Sequence, residues 1–103
     1  MRTRVRIGPQ VEQFVKALAP DPRRALTAGI KGLAEGKGNL LWLESPLTGF
    51  ARLRVGHFRV IYAERSEAGE RIVECLFAER RSVVYDLFAQ MVVDNLVEEL
   101  RGL

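Results

Sequence analysis

The chain has 103 residues, enough for one domain spanning 1–103 with a single modest core. Hydrophobic content of 48% and charged content of 28% fit a soluble globular protein, with a formal net charge of +3. No apolar run approaches membrane-spanning length and Met1-Arg2-Thr3-Arg4 opens no signal-peptide pattern, so no membrane partner is expected. The lone Cys75 excludes an internal disulfide and suits a reducing cytoplasm, the expected location.

Residues 3–7, Thr-Arg-Val-Arg-Ile, alternate as a short strand that Gly8-Pro9 ends. Val11, Phe14, Val15 and Leu18 then recur at helical spacing over 10–18. After the break at Ala19-Pro20, Asp21-Pro22 reads as N-cap and first residue of a second helix. That helix is expected to run to about Glu35, with Ala25, Leu26, Ile30 and Leu33 buried, and to stop at Gly36-Lys37-Gly38. The two helices make an α-hairpin. Residues 39–49 read as irregular, with Trp42 and Leu43 packed on the core and 45–49 a loop.

Two alternating apolar runs joined by Gly56-His57 then read as a β-hairpin, because Gly supplies the positive φ that a II′ turn needs at its first position. In that register Val55 faces Phe58, Arg54 faces Arg59 and Leu53 faces Val60. Leu53, Val55, Phe58, Val60 and Tyr62 share the apolar face; Arg52, Arg54 and Arg59 share the other. Glu67-Ala68-Gly69-Glu70 makes a second turn, and 71–78 a third strand of an antiparallel meander. The last segment places Val84, Leu87, Phe88, Met91, Val92, Leu96 and Leu100 on one helical stripe. That stripe is expected either to pack across the chain's own α-hairpin or to form a homodimer through the C-terminal helix.

Like charges directly opposite on a sheet repel. A chain that carries Arg54 across from Arg59 has a use for an anion there, and phosphate suits guanidinium forks. The charge layout points the same way: thirteen of sixteen basic residues are Arg, and residues 1–85 hold fifteen of them against nine acids. Residues 86–103 carry Asp86, Asp94, Glu98 and Glu99 against Arg101 alone. The plainer alternative for Arg52, Arg54 and Arg59 is three solvated side chains on an exposed sheet face. Arg59, facing away from the core, is expected to be removable without unfolding the protein.

Three pieces of sequence, in order, resemble the RelE/ParE superfamily of toxins from bacterial type II toxin–antitoxin systems. Leu47-Thr48-Gly49-Phe50-Ala51-Arg52-Leu53-Arg54 resembles the family's L-x-G-x-x-R-x-R strand, Phe58-Arg59-Val60-Ile61-Tyr62 its Y-R-V-I-Y strand, and Arg80-Arg81-Ser82-Val83-Val84-Tyr85 its R-R-x-x-V-Y box. The resemblance implies an α+β fold: an N-terminal strand and α-hairpin packed on a twisted antiparallel sheet, with a C-terminal helix. It also implies two possible activities, ribosome-dependent mRNA cleavage or non-enzymatic inhibition of DNA gyrase; a catalytically silent binding module of the same fold is a third.

For the first activity the resemblance implies Arg59, Arg52, Arg81 and Tyr85 as the catalytic set, and Arg54 and Arg80 as substrate-binding cations. Tyr85 would stack on a base or move a proton; otherwise it anchors the last helix. No cofactor is implied, and one His, one Cys and scattered carboxylates offer no metal-ligand spacing. The implied partners are a cognate antitoxin protein, the ribosome and mRNA. Phe50 and Glu79 depart from the family pattern, each standing where a basic residue is common. Glu79 is either a carboxylate base or a neutraliser of Arg80 or Arg81. His57, at the hairpin tip, and Tyr62, on the apolar face, are not expected to be catalytic.

Overall fold

The computed structural model describes residues 2–102. Its elements are β1 (Thr3–Ile7), α1 (Pro9–Lys16), α2 (Pro20–Gly32), a 3₁₀ turn (Leu33–Glu35), β2 (Asn39–Trp42), β3 (Ala51–Val55), β4 (Phe58–Glu67), β5 (Glu70–Arg80), α3 (Val84–Val93) and α4 (Val97–Leu100). The five strands form one sheet in the order β1-β5-β4-β3-β2. The meander β3-β4-β5 is antiparallel as expected, but the sheet is mixed, because β1 pairs parallel with β5.

The hairpin register is the one its alternation dictates: Val55 opposes Phe58, Arg54 opposes Arg59, and Leu53 opposes Val60. Gly56 takes φ +58, and His57 keeps an ordinary φ, as a II′ turn requires. Ala68 (φ +51) and Gly69 (φ +78) turn the next hairpin. Leu53, Val60, Tyr62 and Cys75 are buried on one face of the sheet under Val11, Leu26, Ile30 and Leu33 of the α-hairpin. Gly29 permits that approach, since a Cβ there would lie 2.7 Å from Val55 Cγ2.

Four boundaries differ from the sequence expectation. Residues 39–42 are a strand, β2, not irregular chain; its four residues are too few for alternation to show. Helix α2 begins at Pro20 with Ala19 as N-cap, two residues early, because both prolines fit a first turn whose N–H groups have no partner. It ends at Gly32 in the 3₁₀ turn, and Ala25 lies on its exposed side. The C-terminal stripe is not one helix. Asn95 (φ +60) ends α3, with Leu96 N–H donating to Met91 C=O at 2.9 Å and Asn95 N–H to Val92 C=O at 3.1 Å. That pair of bonds is a Schellman stop, for which Asn is a known substitute for Gly.

The placement of α3 also corrects the expectation. It packs not on the α-hairpin but on the opposite face of the sheet, where Val84, Phe88 and Leu100 bury against Ile61, Ala63, Leu76 and Phe77. A bulge at Ile61/Tyr62 lets both Leu76 and Phe77 face this layer. Gly8 seats the end of the segment: a Cβ there would fall 2.2 Å from Leu100 O. No helix of the described residues is long and apolar enough to cross a membrane.

Burial pushes the Cys75 thiol from 9.0 to about 12 and raises the Tyr62 hydroxyl as well. Between pH 9 and 12 the unfolded thiol therefore holds fewer protons than the folded one, so stability falls as pH rises. We expect Cys75 alone to contribute about 1.4 kcal/mol of loss per pH unit in that window. Urea unfolding against pH should show this slope and should lose part of it in Cys75→Ala. A thiol that reacts with iodoacetamide in the native state at neutral pH would contradict the burial.

Candidate anion-binding face

The register lines up four polar side chains across the sheet. Asn39 on β2 opposes Arg54 on β3, Arg54 opposes Arg59 on β4, and Arg59 opposes Glu79 on β5. Residues directly opposite share a face, so this row lies on the α3 side, at the hairpin end. Arg54 and Arg59 flank the turn-closing pair and so form a non-hydrogen-bonded pair, the type with side chains closest together.

Arg54 is exposed. Arg59 is not: it is 7% accessible, and its Nη1 donates to the carbonyls of Gly56 and Phe58, each at 2.9 Å. The expectation that Arg59 is freely removable is thereby corrected, because its guanidinium closes the turn it sits beside. Arg52, one row along and half-buried, donates from Nη1 to Asn39 O at 2.9 Å and Asn39 Oδ1 at 2.8 Å. Asn39 was invisible to sequence reasoning because β2 itself was; the alternation of β3 could have called for a partner strand.

Arg80 does not join the row. It pairs with Phe58 and its Cζ lies 5.7 Å from the centre of that ring, a cation–π contact on the α-hairpin side of the sheet. The expected role of Arg80 beside Arg59 is therefore corrected by strand parity: residue 79, not 80, faces the row. Arg81 is exposed, and its N–H donates to His57 C=O at 2.9 Å, which ties it to the hairpin tip. Tyr85 lies in the first turn of α3, half-buried beside the layer formed by Ile61, Phe77 and Phe88. Phe50 packs edge to face on Phe88 at 4.9 Å, which explains an apolar residue at that position.

The electrostatics of the sheet divide in two. At the far end the arginines of the strands and of the C-terminal segment are matched: Arg4 with Glu70, Arg6 and Arg65 with Glu67, Arg71 with Glu64, and Arg101 with Glu98 and Glu74; among the described residues Arg2, which precedes β1, is not. Glu74 is buried and also meets Arg65 at 3.6 Å. The Arg6 guanidinium, bonded to Glu67, holds that carboxyl below the usual range. At the hairpin end, among the described residues, Arg52, Arg54, Arg59, Arg80 and Arg81 have no carboxylate within 4.0 Å. Glu79 is the nearest candidate by register, yet its Oε1 accepts instead from the Arg80 N–H at 2.9 Å. Among the described residues no three His, Cys, Asp or Glu side chains converge as metal ligands.

Truncating Arg59 removes the donor to two turn carbonyls in a buried setting. Arg59→Ala should therefore cost about 1–3 kcal/mol in urea unfolding. Arg54→Ala should fall within about 0.5 kcal/mol of the parent. Equal losses would mean that Arg59 is no more part of the hairpin than Arg54.

No protein-family model matches the sequence, and no curated protein matches it. Solved structures do. A chain of the toxin–antitoxin complex RelBE2 from Mycobacterium tuberculosis matches with a TM-score of 0.59 and 22% identity, over 79% of this chain and 100% of that one. The YoeB/ParE toxin from Agrobacterium tumefaciens matches at 0.62 with 13% identity, over 76% and 98%. A chain of the archaeal RelE–RelB complex from Pyrococcus horikoshii matches at 0.58 with 25% identity, over 79% and 97%. The mixed sheet with an α-hairpin on one face and a C-terminal helix on the other is the RelE/ParE-like toxin fold, and this chain has it.

Proposed function

We propose that the protein is the toxin of a type II toxin–antitoxin pair and that it cleaves mRNA on the ribosome. The observation that carries this reading is the segregation of charge: among the described residues, Arg52, Arg54, Arg59 and Arg81 have no carboxylate partners at the hairpin end, while the ion pairs of the sheet gather at the far end. A phosphodiester supplies the missing anion.

In this reading the 2′-hydroxyl attacks the adjacent phosphorus, the bond to the 5′-oxygen breaks, and a 2′,3′-cyclic phosphate remains. Arg54 and Arg59 hold the phosphate and offset the charge that grows on its oxygens in the transition state. Arg52, steered by Asn39, and Arg81, anchored at the tip, extend the cationic surface along the strand. Glu79 is the only carboxylate on the row and takes the 2′-hydroxyl proton. Tyr85 gives a proton to the leaving 5′-oxygen or stacks on a neighbouring base. The ribosome orients the RNA, a task the shallow face cannot perform alone. A cognate antitoxin, of the kind present in the neighbouring complexes, completes the pair, and action on ribosomes places the protein in the cytoplasm.

Purified protein should cut A-site mRNA on programmed ribosomes with EDTA present, leave free mRNA intact and leave gyrase supercoiling untouched. Arg54→Ala, folded as the parent, should lower the cleavage rate by about 100-fold, the loss typical of one transition-state donor. Intact mRNA together with blocked supercoiling would establish the ParE-like activity instead. Neither effect would leave a binding module of the same fold.

A further inference from the structure

The two edges of the sheet are built differently. Edge strand β1 carries Arg4 and Arg6, and charged side chains of this kind deter pairing with another chain. Edge strand β2, Asn39-Leu40-Leu41-Trp42, carries no charge and no proline. It also exposes two of the largest apolar side chains on the molecule, Leu41 at 53% and Trp42 at 58%.

Its open backbone can be assigned. Leu43 N–H donates to Phe50 C=O at 2.9 Å, so the odd-numbered residues of this strand point their N–H and C=O groups at β3. Leu40 and Trp42 then point theirs outward, where no strand follows β2 in the sheet. Among the described residues, neither backbone makes a further hydrogen bond in a turn, loop or cap.

We propose that β2 pairs antiparallel with β2 of a second copy of this chain, about a two-fold axis through Leu41. A two-fold relation between antiparallel strands runs perpendicular to the sheet and sets one residue opposite itself. Centred on Leu41, it sets Leu40 opposite the second copy's Trp42 and Trp42 opposite the second copy's Leu40. Both are hydrogen-bonded pairs, so the outward N–H and C=O groups of both copies are all satisfied. Leu41 meets its counterpart as a non-hydrogen-bonded pair, the close type for side chains, and Trp42 lies over Leu40. Centring on Leu40 instead would leave the outward groups of Trp42 facing Gly38 and the two Leu41 side chains unmatched. The pairing makes a ten-stranded sheet. It sets the two Arg52 residues on one face about 14 Å apart, three strand spacings of about 4.8 Å. Four residues per chain bury little area, so the dimer is weak and depends on concentration.

Trp42 is the only tryptophan, and it reports directly on this strand. Across a wide concentration series, mass by light scattering should rise from monomer to dimer while Trp42 emission moves to shorter wavelength. Leu41→Lys should stay monomeric with constant emission and an unchanged melting temperature. Leu41→Cys tests the register separately, because Cys75 is buried and a central non-hydrogen-bonded pair has Cα atoms within disulfide reach. Under mild oxidation it should form a disulfide-linked dimer roughly tenfold or more faster than Glu44→Cys, which lies outside the strand. A monomer of constant emission at all concentrations would overturn the proposal. So would a Leu41→Lys variant that still dimerises, or a Leu41→Cys variant that links no faster than the control. None of these readouts depends on the catalytic reading.

Discussion

Arg54 and Arg59 are held side by side against their mutual repulsion, and the rest of the hairpin explains how. A like-charged cross-strand pair costs about 0.2–1 kcal/mol. The opposite face of the same two strands buries Leu53 and Val60 almost completely, each worth about 1.5–3 kcal/mol. A one-residue slip would relieve the arginines but would turn every one of those apolar side chains to the wrong face. Burial therefore outweighs repulsion and pins the register. Gly56 completes the constraint by allowing a two-residue turn, which leaves the chain no slack to shift.

The second constraint is the layer on the arginine side. Phe88, Val84 and Leu100 cover the middle of that face, and at the hairpin end Arg54 stays exposed. Within the covered region, carboxylates meet arginines, and buried Glu74 ties α4 to the sheet through Arg101. Outside it, the cations are unmatched. The same helix that buries the centre of the face delivers Tyr85 to its border, and Phe50 serves the helix rather than the anion. Fold and site are thus one arrangement: what α3 does not cover is what remains for a ligand.

Much of this was legible in the residues. The hairpin register, the turn residues, the burial of Tyr62 and Cys75 and the resemblance to the RelE/ParE superfamily all follow from local patterns, because period-2 alternation and glycine turns are local physics. What escaped were features set by tertiary context. Strand β2 is too short to alternate, so Asn39 and its bonds to Arg52 went unseen. Arg80 and Arg81 look equivalent in sequence, yet strand parity sends Arg80 to Phe58. The apolar stripe of the tail suggested one helix, and Asn95 divided it; that asparagine was the available signal. The burial of Arg59 follows from its bonds to the turn carbonyls, which no spacing reveals.

The central claim is that the unmatched arginines, and not the neutralised ones, receive a nucleic-acid phosphate. Titration with a short single-stranded RNA, followed through the Nε–H resonances of individual arginines, tests it most directly. The shifts should concentrate on Arg52, Arg54, Arg59 and Arg81 and should weaken as salt rises. Arg4, Arg6, Arg65, Arg71 and Arg101, already held by carboxylates, should stay in place. Shifts spread evenly over both sets, or confined to the ion-paired set, would contradict the account.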